Sequence, residues 1–206
     1  MIPEASYLAN HMATRSTYDE AWMTGLELQA FGTEGYEAFR LVLEQGTPPA
    51  RRAAAFWLSD EAEMVPADLF FLMATDEDSE VRFHAAYCLA YVQDTRTLKT
   101  LRQLAHLDTC EEVRQVAIQS LYGAAKLNAH IEHVLADYDQ SLKDKSPLVR
   151  EEVVTHLANF LKSPDIHQAI LLLERALHDT HSTVREQAEI SLSVLKNEIW
   201  HDPVLL

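Results

Sequence analysis

Five arginines, Arg51, Arg82, Arg114, Arg150 and Arg185, stand 31, 32, 36 and 35 residues apart along the chain. Each occupies the same place in a recurring pattern. In the full copies an Asp precedes the arginine by six positions and a Val stands directly before it. A small apolar residue follows three positions later and a Leu seven. The series reads Asp76, Val81, Arg82, Ala85, Leu89, then Asp108, Val113, Arg114, Ala117, Leu121. It returns as Asp144, Val149, Arg150, Val153, Leu157 and as Asp179, Val184, Arg185, Ala188, Leu192. A degenerate first copy keeps Arg51, Ala54 and Leu58 but has Gln45 where the Asp is expected. A near-constant period of this length marks an array of small stacked units.

Each unit reads as two helices. The second carries its Val, Ala or Val, and Leu at four-residue steps, an apolar stripe along one helical face. The first has a stripe of its own, Leu98, Leu101 and Leu104 in one copy and Ile166, Ile170, Leu173 and Leu177 in another. Thr47-Pro48, Ser146-Pro147 and Ser163-Pro164 place a capping side chain before a first-turn proline. Thr17 with Glu20, and Thr109 with Glu112, have capping-box spacing. Only 5 Gly and 7 Pro occur in 206 residues, too few for the tight turns of an all-β chain. A pair of helices this short cannot bury two apolar stripes alone, so neighbouring pairs must stack.

The Asp, Val-Arg, Ala and Leu series resembles the HEAT-repeat family, in particular the HEAT-like subclass of the phycobilisome lyases. The resemblance covers roughly residues 33–199 and implies an all-α superhelix, a solenoid of about five helical-hairpin repeats. Residues 1–32, with Tyr18, Trp22, Leu26, Leu28 and Phe31, are expected to be capping helices. Residues 200–206 are expected to be a short tail, the whole 1–206 making a single domain. In the family the Asp and Arg form a ladder between adjacent repeats. That role falls by resemblance to Asp76, Asp108, Asp144 and Asp179 and to Arg82, Arg114, Arg150 and Arg185. A carboxylate at a helix N-terminus can both cap amides and take a bidentate arginine.

Little in the chain points to chemistry, and no catalytic, cofactor or metal residue is assigned. Among ten histidines, His130 and His133 share a face, as do His84 and Cys88, while His106 and Cys110 straddle a turn. No third or fourth ligand stands at metal-site spacing. The HEAT-like di-iron hydroxylases draw their ligands from His-Glu dipeptides, and none occurs here. Cys88 with His84 as its base would be a nucleophile, but a packed thiol is the plainer account. Two cysteines, an N-terminus without signal-peptide character, and apolar runs too short to span a bilayer point to a soluble cytoplasmic protein without membrane contact.

Charge narrows the partner. A formal net charge of −15 excludes a nucleic-acid binder, which needs a basic face. Residues 1–80 contain 15 acidic and 4 basic residues, a net of −11, and residues 81–206 contain 17 and 13, a net of −4. At 100° per residue, the face opposite the buried stripe of the second helices carries Phe56, then Phe83, Tyr87 and Tyr91, then Tyr122. In the family this row usually lines the inner face. Either it is an apolar patch that anchors a partner, with Asp60 and His84 at its edge, or ordinary core covers it. The leading expectation is a non-catalytic interaction module, an adaptor or inhibitor of a basic protein, an immunity-type toxin inhibitor being one form. The alternative is a subunit or chromophore chaperone like the bilin lyases. Oligomeric state is not legible.

Overall fold

The computed structural model describes residues 1–161 and 163–201, without the side chains of residues 132 and 197–201. Among the described residues there are twelve α-helices, two single-turn 3-10 helices and no strand. The helices are α1 (Pro3–Ala13), α2 (Tyr18–Gln29), α3 (Thr33–Gln45), α4 (Pro48–Asp60), α5 (Ala67–Met73) and α6 (Ser79–Leu89). They continue with α7 (Thr97–Leu107), α8 (Glu111–Leu127), α9 (Val134–Ser141), α10 (Pro147–Leu157), α11 (Ile166–Ala176) and α12 (Ser182–His201). Of the expected tail, Trp200 and His201 belong to α12, and residues 202–206 lie outside the described residues.

The chain forms two compact units, Met1–Thr100 and Leu101 onward, divided within α7. In the first, α1 packs on α3 and α3 on α5, while α2 packs on α4 and α4 on α6. The result is a layer of first helices against a layer of second helices. The expected N-terminal cap is thus a further helix pair in the same two layers. In the second unit α8, α10 and α12 pack in sequence as second helices, with α9 against α11 beside them. The architecture is a HEAT-like α-solenoid fold.

The second-helix stripe explains this layering. Val81, Ala85, Leu89, Val113, Ala117, Leu121, Val149, Val153, Leu157, Val184, Ala188 and Leu192 are all buried. In α11 the buried line runs through Ile166, Ala169, Leu172, Leu173 and Ala176, whereas Ile170 and Leu177 are half-buried at its margin.

Capping follows the sequence at three starts and departs at two. Thr17 accepts from the Glu20 amide, Thr47 from Ala50, and Ser146 from Leu148. The expected Thr109–Glu112 box does not form. The N-cap of α8 is Cys110, whose Sγ donates to Glu112 Oε2 at 2.8 Å. Its own amide is taken by Asp108 Oδ1 at 2.9 Å, so the Asp pulls the helix start one residue later. Likewise α11 starts after Asp165, and Ser163 instead accepts from the Asp165 amide in the preceding turn.

The repeat arginines and aspartates occupy these turns. Arg51 donates to both carboxylate oxygens of Asp76 at 2.9 and 3.2 Å, a pair that the degenerate first copy concealed. Arg114 does the same to Asp144 at 2.7 and 2.9 Å, and Arg150 to Asp179 at 2.7 and 2.8 Å. A further nitrogen, Nη1, of Arg82, Arg114, Arg150 and Arg185 donates to the carbonyl oxygen of Asp76, Asp108, Asp144 and Asp179 respectively. Each of those aspartates also accepts the amide two residues on, at 2.8–2.9 Å. One guanidinium therefore holds the turn of its own helix pair and, where the pairing is described, the carboxylate of the next. The Arg150 hydrogen bonds hold the Asp179 carboxyl below the usual range. Burial pushes Asp144 up, but Arg114 and the Ser146 amide outweigh it and its pKa is lowered.

Candidate partner-binding face

α6 buries Val81, Ala85, Ala86, Cys88 and Leu89, which leaves Phe83 and Tyr87, one turn apart, on the opposite side. Tyr91 follows just beyond the helix end. On α4, the run Ala53, Ala54, Ala55, Trp57 and Leu58 is buried, and Phe56 points away from it. Phe56, Phe83, Tyr87 and Tyr91 are 36%, 37%, 40% and 55% exposed. Side chains this large are not core at such exposure.

The aromatic groups touch one another. Phe56 meets His84 edge to face at 6.2 Å between centroids, and Phe83 meets the same imidazole at 5.9 Å. Tyr87 and Tyr91 are 5.9 Å apart. His84 is half-buried beneath this surface with Nδ1 3.0 Å from Ser59 Oγ, and burial lowers its pKa. Asp60 is exposed at the end of α4. Tyr122 differs from the others. It lies half-buried in the second unit, its ring against Phe160 at 5.4 Å and its hydroxyl donating to the Asn159 carbonyl at 3.0 Å.

Residues outside the repeat pattern complete the face. Trp57 packs on Trp22 of α2 with ring centroids 4.9 Å apart and planes tilted by 35°, and its Nε1 donates to the Trp22 carbonyl at 3.0 Å. This approach requires glycine at position 25, where a Cβ would stand 2.3 Å from Trp57 Cδ1. Arg52 joins the starts of α4 and α6, with Nε 2.8 Å from Asp78 Oδ2. Met23 and Leu26 of α2 are exposed as well. Trp22 and Leu26 were legible only as members of a capping helix. Nothing in the spacing linked α2 to Trp57.

The groups weighed for chemistry are placed otherwise. Cys88 is fully buried, and burial pushes its thiol up to about 12, so it stays protonated at neutral pH. His106 lies between Asp137, at 3.5 Å, and the Ser141 hydroxyl, at 3.3 Å, away from any thiolate role with Cys110. His130 and His133 stack at 6.3 Å. Among the described residues no group of three His, Cys, Asp or Glu side chains is placed to hold a metal ion. Nor is any helix among them long and apolar enough to cross a membrane.

The model of the HEAT-repeat family matches residues 37–122, which span α4, α6 and most of α8. Beyond them the HEAT-like fold is shared with solved structures. A chain in the complex of CpcE and CpcF of phycocyanin lyase from Nostoc sp. PCC7120 is similar at 20% identity and a TM-score of 0.61, over 76% of this chain and 96% of that one. A designed armadillo repeat protein is similar at 15% identity and a TM-score of 0.51, over 95% and 100%. An engineered protein is similar at 18% identity and a TM-score of 0.53, over 96% and 98%. Identities this low carry the fold and nothing more. No curated protein matches the chain. The HEAT repeats thus set Phe56, Phe83 and Tyr87 on second helices, on a scaffold suited to protein interaction.

Proposed function

We propose that this protein is a non-catalytic interaction module, an adaptor or inhibitor that binds a basic protein through the second-helix face of residues 1–100. The observation that carries the reading is the joint exposure of Phe56, Phe83, Tyr87 and Tyr91 within the acidic part of the chain. Aromatic side chains anchor interfaces because they bury large area at small entropic cost, and surrounding carboxylates steer a cationic partner. Replacing Phe83, Tyr87 and Tyr91 together with Ser tests it. Because the three are exposed, helical circular dichroism is expected to persist and the melting temperature to fall by no more than about 4 °C. The wild-type chain is expected to retain a stoichiometric basic protein from its source lysate, and the variant to lose it. A fall of 10 °C or more, or equal retention by both chains, overturns the proposal.

A second reading draws on the likeness to the phycocyanin lyase chain, a chromophore-handling subunit with His84 and Asp60 at the edge of a stacking surface. Acidic surroundings suit the propionates of a tetrapyrrole poorly. An absorption spectrum separates the two: visible bands in the purified protein favour the lyase-like reading, and a colourless preparation favours the interaction module.

A further inference from the structure

His84 on α6 is shared by an exposed ring from each of two neighbouring helices. Phe56 of α4 and Phe83 of α6 stand at 84° and 89° to the imidazole, with centroids 6.2 and 5.9 Å away. Its Nδ1 lies 3.0 Å from Ser59 Oγ, which in turn lies 2.7 Å from the Phe56 carbonyl oxygen. A hydroxyl has one proton, and a carbonyl oxygen can only accept. The Ser59 proton is therefore committed to the Phe56 carbonyl, since two lone pairs at that distance would repel. Ser59 Oγ is left as an acceptor, and Nδ1 must carry the proton that it accepts. Burial lowers the His84 pKa, so the ring is neutral at pH 7 and holds that one proton alone. Nε2 is then a bare acceptor. It has no hydrogen-bond partner among the described residues, and it is not among their buried unpartnered atoms, which are Arg15 Nε and Tyr138 Oη. An acceptor nitrogen thus opens to solvent beside two phenyl rings.

Such a group takes a donor, and the charge of the chain around it selects a cationic one. Residues 1–80 carry a net of −11, and their four basic side chains are engaged: Arg15 with His11, Arg40 with Glu37, Arg51 with Asp76 and Arg52 with Asp78. Asp60, directly after Ser59, is exposed. We infer that His84 Nε2 accepts a hydrogen bond from the ammonium of a lysine side chain of the basic partner, whose methylene stem packs against Phe56 and Phe83. One acceptor beside apolar rings suits a point donor on an apolar stem. A guanidinium presents a fork that fits paired acceptors, as Arg51, Arg114 and Arg150 find in Asp76, Asp144 and Asp179. The inference rests on the proposed function above and adds the side chain recognised and the atom that recognises it.

The test uses the full chain and three blocked heptapeptides of Leu and Ser that differ only at the central position, Lys, Arg or norleucine, titrated by amide NMR shifts. Nitrogen NMR of the free chain at neutral pH is expected to show His84 protonated at Nδ1, with the Nε2 resonance moving on addition of the lysine peptide. The lysine peptide is expected to bind about tenfold more tightly than the norleucine peptide, the size of one hydrogen bond to a charged group. Its margin over the arginine peptide is expected to be about threefold. His84→Phe keeps a ring but no acceptor, and should weaken the lysine peptide about fivefold while leaving the norleucine peptide unchanged. Ser59→Ala frees the ring to carry its proton on Nε2 and should weaken the lysine peptide in the same way. Protonation at Nε2 in the free chain, failure of the lysine peptide to bind, an arginine or norleucine peptide as tight as lysine, or a lysine preference that survives both variants overturns the inference and leaves the docking face standing. Capture of the basic protein unchanged in the triple serine variant brings down the docking face as well.

Discussion

The hydroxyl of Tyr138, on α9, is buried with no hydrogen-bond partner among the described residues, and its ring meets Phe160 at 6.3 Å. Burial pushes this phenol strongly upward, so it remains neutral. An unsatisfied buried hydroxyl costs about 1–3 kcal/mol, while the ring contributes favourable packing. Tyr138→Phe is therefore expected to stabilise the protein by about 1 kcal/mol, read as a rise in the urea midpoint at unchanged slope. A loss of stability would show that the hydroxyl has a partner. This residue was not legible in the sequence. A tyrosine at a helical position reads equally as core or surface, and only the surrounding packing decides which polar atoms are left alone.

At the scale of the element, the turn between the two helices of a repeat is the unit of stability. Arg150 shows the arrangement in full, with two bonds to Asp179 and one each to the carbonyls of Asp144 and Lys145. Lysine cannot reproduce that fork, so Arg150→Lys is expected to cost about 2–3 kcal/mol at neutral pH. The pH dependence has a definite sign. The carboxyls of Asp144 and Asp179 titrate lower when folded than their usual value. Their contribution is therefore present above about pH 4, the unfolded value, and is lost as pH falls through the lower folded values. Denaturation midpoints should drop steeply on that acid limb in the wild type and less steeply in Arg150→Lys. Equal slopes would show that the pairs do not govern acid stability. These residues were legible because the Asp and Arg recur in register. Arg51 was not legible because Asp76, its partner, lies 25 residues on, in the next repeat, and its own copy has Gln45 in place of the Asp.

For the molecule, the decisive quantity is the distribution of charge. The net of −11 over residues 1–80 adjoins an exposed aromatic face. Long-range attraction of the proposed basic partner is screened over about 8 Å at physiological ionic strength. The association rate with that partner is accordingly expected to fall at least tenfold between low and physiological salt, with the dissociation rate changing far less. Stopped-flow measurement at several ionic strengths checks it, and a rate independent of salt would place the carboxylates outside the encounter.

The amino-acid sequence by itself determined that the chain is a helical array. Helical periodicity and a repeat period are local properties, written in residue spacing and unaffected by what packs against what. It also determined the charge and its segregation, which are sums over residues. Only the tertiary structure decided which of five candidate aromatics are exposed. Phe56, Phe83, Tyr87 and Tyr91 and their counterpart Tyr122 share one nominal helical face, yet Tyr122 finds Phe160 and the Asn159 carbonyl while the other four keep a third or more of their surface in water. Exposure depends on neighbours brought in from other helices, and a periodic pattern carries no record of them.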